Sequence, residues 1–203
     1  MYFPSKIADF SLDKIIKWPL AILFIFFYLD IFYYFLGSFV NFLIGVSWTY
    51  LIGAILFIFQ SIRYGDKFLT FEHELTHAIF AFLTFKKDIK INISNPNPDA
   101  LGHCSFSGGS NWLIYLAPYF FPTLTVLFAL LYLVVSDSFF IILDICIGYS
   151  LSYHLRTNLS ELIVNYKGGP NSDINRVGKI YSIIIIPAMN FLIFSQIFNL
   201  LSR

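Results

Sequence analysis

Phe71-Glu72-His73-Glu74-Leu75-Thr76-His77 carries the pattern His-Glu-x-x-His inside a strongly apolar segment, Phe68 to Phe85. On a helix, positions i and i+4 share one face about a turn apart. His73 and His77 can therefore each aim a ring nitrogen at one metal ion. Glu74, one residue on, is near enough to act on a metal-bound water without being a ligand. This is the zinc-hydrolase arrangement: two imidazoles, a third ligand from elsewhere and a carboxylate as general base. The alternative, two core histidines and a stray glutamate, is weaker, because an unpaired carboxylate in an apolar helix is costly.

The composition says where such a site would lie. Only 12% of the 203 residues are charged, about half the share of a soluble domain, and the mean hydropathy is +0.73. That much apolar surface has no interior large enough to hide it. The expectation is a multi-pass integral membrane protein, of a cell membrane or of the inner membrane in a bacterium, with residues 1–203 as one membrane-embedded domain. A formal net charge of +1 gives no argument for nucleic acid or for an acidic partner. Cys104 and Cys146 are too few and isolated for a disulfide framework.

Working outward, residues 1–17 read as a weakly basic interfacial segment. The chain then supports an all-α polytopic fold of about six transmembrane helices, at roughly twenty apolar residues each. The first runs from Trp18 to about Leu36, with Asp30 as its one charge, and a weak break falls at Gly37-Ser38. The second covers about Phe39 to Gln60, and Asp66 is placed to cap the motif helix, Phe68 to Phe85. Ile89 to Ser94 alternates as a strand does, Asn95-Pro96-Asn97-Pro98 is turn chemistry, and Leu101 to Phe106 reads as a return strand, giving a β-hairpin. The fourth helix, Trp112 to Val135, contains Pro118 and Pro122, which free backbone carbonyls that need partners. The fifth covers about Phe139 to Leu155 and the sixth about Ile174 to Leu201. Basic residues divide evenly between the two sides, so orientation stays open. The hairpin and the loop before Asp173 nevertheless fall on the side where the motif helix ends.

H-E-L-T-H in an apolar helix, followed by a polar hairpin and further apolar helices, resembles the site-2 protease family of intramembrane zinc metalloproteases. The resemblance covers Phe68 to the last helix and makes 68–201 the expected catalytic core. It implies one zinc ion held by His73 and His77, Glu74 as general base, and a re-entrant hairpin that helps present an extended substrate strand. It also implies an aspartate from a later membrane segment as third ligand. The implied reaction is hydrolysis of a peptide bond in or near a membrane helix of a substrate protein. The sequence departs from the family pattern at Thr76, where glycine is frequent, and in lacking Leu-Asp-Gly; the nearest match is Asn171-Ser172-Asp173.

Asp173 reads equally well as that third ligand or as an N-cap after Gly-Pro-Asn-Ser. His154 is the rival, either as ligand or as a supporting partner, and it shares a helical face with Asn158 and Glu161. Glu161 as a ligand would resemble soluble zincins. His103 and Cys104 reach a metal only if the hairpin folds inward, Glu72 reads as a supporting group, and Asn111, Asn158 and Asn165 are candidates for binding substrate backbone. Two other functions stay open: a zinc-binding membrane scaffold or partner-binding subunit without protease activity, and a transporter. Asp144, mid-helix in the fifth span, keeps the transporter alternative alive. Substrate identity and oligomeric state are not readable.

Overall fold

A computed structural model describes residues 12–45, 47–64, 69–92, 103–169 and 172–202. Three helices open the chain: α1 (Leu12–Phe26), α2 (Tyr28–Gly45) and α3 (Trp48–Tyr64). This corrects the first two expected spans. Gly37-Ser38 does not break the helix, because the Ser38 hydroxyl donates to the Tyr34 carbonyl at 3.0 Å and so satisfies itself within the turn. The interruptions fall at Phe27 and between Gly45 and Trp48. At Phe27 the helical bonding continues, from the Phe27 N–H to the Leu23 carbonyl at 3.1 Å.

The motif helix, α4, spans Leu69–Leu83. Its 15 described residues rise about 22 Å, less than the ~30 Å hydrocarbon core of a bilayer. The hairpin follows as β1 (Lys87–Asn92) and β2 (His103–Ser107), antiparallel, with Ile91 opposite Cys104 and a register shift between Lys87 and Lys90. Among the described residues β1 begins at Lys87, ahead of the expected Ile89, and β2 ends at Ser107, just past the expected Phe106. Ile89 and Phe106 turn inward onto the core beside α4. The proposed caps and turns at Asp66 and Asn95–Pro98 lie outside the described residues.

The expected fourth helix is broken. It consists of α5 (Trp112–Leu116), a 3-10 turn over Ala117–Tyr119, and α6 (Thr123–Leu131), with a 76° bend between the two limbs. Pro118 and Pro122 cause it, since neither has an N–H for the helical ladder. The fifth helix is longer than expected: α7 runs unbroken from Phe140 to Lys167. The sixth divides at Gly178 (φ +108°) into α8 (Asp173–Val177) and α9 (Lys179–Leu201).

The count of six spans is therefore revised. Among the described residues three helices, Tyr28–Gly45, Asp137–Lys167 and Lys179–Leu201, are long and apolar enough to cross a membrane, and a fourth crossing follows if the bent α5–α6 pair acts as one. Large apolar side chains such as Phe26, Ile44, Val134 and Ile180 are exposed on the outer faces, as lipid contact requires and water does not. The chain is a helical membrane protein with one small sheet.

Packing fixes the site's surroundings. At the α3–α7 crossing Gly53 meets the Ile145 backbone and Gly148 meets the Tyr50 backbone, and a methyl group on either would overlap the facing carbonyl, so the helices touch backbone to backbone. Phe35, Phe39 and Phe42 of α2 stack on Phe198 of α9. A separate cluster (Phe80, Ala81, Ile114, Tyr119, Ile174, Ile185) joins α4, α5, α8 and α9 around the motif.

Candidate metal centre

The i, i+4 spacing brings the His73 and His77 Nε2 atoms to 3.0 Å of each other. Asp173 Oδ2 lies 3.4 Å from each. Donor atoms bound tetrahedrally at zinc distances of about 2.0–2.1 Å stand roughly 3.3 Å apart, so the three separations fit one ion.

The far sides of both rings are occupied. His77 Nδ1 donates to the Ile114 carbonyl at 2.7 Å. A carbonyl only accepts, so the proton sits on Nδ1 and a neutral ring presents a bare lone pair at Nε2. His73 Nδ1 faces the Glu161 carboxylate, which fixes the same tautomer. In the neutral form that a metal ligand requires, the two Nε2 atoms and Asp173 Oδ2 would be three acceptors converging on one point, which a cation would satisfy. Partners of this kind orient metal-binding histidines and raise their basicity.

Each supporting group has a local cause. Ile114 stands four residues before Pro118, whose missing N–H leaves the Ile114 carbonyl outside the helical ladder and available to His77. Asn111 caps α5, its Oδ1 accepting from the Ile114 N–H at 2.9 Å. Asp173 is the first residue of α8 and the cap position belongs to Ser172. The Asp173 carboxylate therefore faces the histidines, and it accepts from the Tyr119 hydroxyl at 3.2 Å. Glu74, 7% exposed, makes no side-chain hydrogen bond among the described residues. Burial pushes the Cys104 thiol up to about 11, and the negative charge of Glu74 adds to the shift; both strands of the hairpin pack on α4.

His154 is buried but not part of the His73, His77, Asp173 group, which alone among the described residues brings its ligand atoms within 4.8 Å. Its Nδ1 faces Glu72 at 3.4 Å. The other Glu72 oxygen accepts from the Leu124 N–H at 3.0 Å, serving the start of α6 that Pro122 leaves uncapped. Thr76 completes this join, donating to the Glu72 carbonyl at 2.7 Å and meeting the Thr123 hydroxyl at 2.5 Å. Asn158 and Asn190 both donate to the Tyr119 carbonyl, and Asn165 donates to the Glu161 carbonyl at 3.2 Å. In this structure the candidate substrate-binding asparagines 111, 158 and 165 each serve the protein's own backbone. His103 is exposed at the hairpin end opposite Asn92, away from the centre. Two contributors escape a reading by residue type. Tyr119 gives no sequence signal, and Glu161 is visible only as a possible ligand although its contact is with the back of His73.

Helices with apolar outer faces thus enclose two histidines and an aspartate whose ligand atoms could hold one metal ion. A family model described as Peptidase M50B-like matches residues 47–157, more than half of the chain, and the protein belongs to that family, within the site-2 protease group. The match takes in His73, Glu74, His77 and His154 and ends before Glu161 and Asp173. No curated protein and no solved structure matches the chain.

Proposed function

We propose that the protein is a zinc-dependent intramembrane endopeptidase. The observation that carries this reading is the convergence of His73 Nε2, His77 Nε2 and Asp173 Oδ2 at 3.0–3.4 Å, with both rings held from behind. Zinc bound by these three residues would supply Lewis acidity and a water acidic enough to react near neutral pH. Glu74, buried and without a competing hydrogen bond among the described residues, accepts a proton from the attacking water. It then delivers that proton to the leaving amine, so that one water is consumed and one carboxylate and one amine are formed. Ile114 and Glu161 hold the ring protons on the Nδ1 atoms throughout. The strands packed on α4 give an extended substrate segment an edge on which to pair its backbone, which an unwound membrane helix needs.

The test compares wild type with Glu74→Gln, both expressed with a tagged single-span membrane protein and purified for zinc analysis. Glu74→Gln should keep one zinc per chain and lose cleavage by about 10²–10⁴-fold. Equal cleavage by the two proteins would remove Glu74 from the reaction.

A further inference from the structure

Asp144 belongs to a second polar cluster on α7, which the metal centre does not use. Glu161 lies about 25 Å further along the helix at 1.5 Å per residue. The Thr49 hydroxyl donates to Asp144 Oδ2 at 2.6 Å, and the Tyr132 hydroxyl donates to Oδ1. Each hydroxyl has one proton, so the next bonds have fixed directions. Ser47 donates to Thr49 at 2.7 Å, and Tyr50 donates to Tyr132 at 3.3 Å. Four hydroxyl protons thus run in two relays toward one carboxylate.

That carboxylate faces a cavity of about 300 Å³ lined by Ser47, Tyr50, Tyr132, Phe140 and Leu201, with no cationic residue in its wall among the described residues. None of the ion pairs among the described residues includes Asp144. A carboxylate has about four lone-pair sites, and the two hydroxyls fill two. The described lining thus sets one carboxylate among aromatic rings and apolar side chains, drawn from α2, α3, α7, α9 and the segment after α6. The hydroxyl protons are already committed and much of the wall is hydrocarbon, which suits an organic ammonium better than a metal ion that needs a shell of oxygens.

We propose that this cavity binds the primary ammonium of a membrane aminophospholipid, its N–H groups on Asp144 and its acyl chains along the lipid-exposed Leu133 side. Native mass spectrometry of the full chain in detergent, with phosphatidylethanolamine, phosphatidylglycerol or free ethanolamine added, tests it. Phosphatidylethanolamine should bind about ten- to a hundredfold more tightly than phosphatidylglycerol, and free ethanolamine should compete only weakly. Asp144→Asn should remove the preference, with zinc content reporting that the fold survives. Leu133→Trp, which fills the lipid side of the cavity and leaves the Asp144 hydrogen bonds intact, should block uptake even if Asp144→Asn fails to fold. Headgroup-independent binding, an unchanged preference in Asp144→Asn, or thermal stabilisation by sodium or potassium chloride alone would overturn the proposal. So would uptake seen only in Arg203→Ala, because the chain's own guanidinium, two residues beyond Leu201, would then be the cation.

Discussion

The two ends of α7 solve one problem in different ways. At the end near Lys167, Glu161 faces His73, and Asp173 faces both histidines. At the other end Asp144 is met by hydroxyls alone. Both regions bring carboxylates into a largely apolar bundle, where an ionised group needs partners. Imidazoles with their lone pairs turned together build a place for a metal. Hydroxyls with their protons turned inward stabilise a carboxylate while leaving its charge uncancelled. By this comparison hydrogen-bond direction, rather than the presence of an acidic residue, separates the candidate metal centre from the proposed ammonium site.

Substitutions can break that contrast, and the largest effect belongs to the metal end. His77→Ala removes a ligand and should abolish stoichiometric zinc, measured by atomic emission on the purified protein. Glu161→Gln keeps the shape of the contact but loses the charge behind His73, and zinc affinity should fall about 10–100-fold in a chelator competition. In the same assay Asp144→Asn should leave zinc affinity unchanged, because the hydrogen bonds of its cluster run to Thr49, Tyr132, Ser47 and Tyr50 and not to α4. Pro118→Ala restores an N–H that competes with His77 for the Ile114 carbonyl, so zinc affinity should fall by less than about tenfold. The smallest effect is expected for Asn158→Ala. The Tyr119 carbonyl keeps its bond from Asn190, and thermal denaturation should show a loss of only about 0.5–1.5 kcal/mol.

Some of this was legible because it is local. His73, Glu74 and His77 lie within a turn and a half of one helix, and periodicity alone puts the histidines on one face. The hairpin showed in its alternation. Pro118 and Pro122 announced a break and free carbonyls, although not that one of those carbonyls would hold His77. The span count failed for a local reason with long-range consequences. Ser38 satisfied itself inside α2, and the described part of α4 is shorter than a span. Asp173 could not be separated from a helix cap by its neighbours, because the same Gly-Pro-Asn-Ser run serves either role. In the structure Ser172 takes the cap position and the Asp173 carboxylate faces both histidines, which favours the ligand reading. The contact of Glu161 with the back of His73 was not legible, because residue type shows what a side chain can bind and leaves open which side of a ring it approaches.

The sequence by itself determined that the chain is apolar enough to live in a membrane and that two imidazoles and a carboxylate share one helical turn, since both follow from composition and from the 3.6-residue repeat. Only the tertiary structure decided what surrounds them. Ile114, Glu161 and Asp173 come from three other helices, and they meet the histidines because the proline break folds α5 against α4 and the glycine at 178 turns α8 across the end of the bundle. Those meetings depend on packing between segments distant in the chain, which no local pattern of residues encodes.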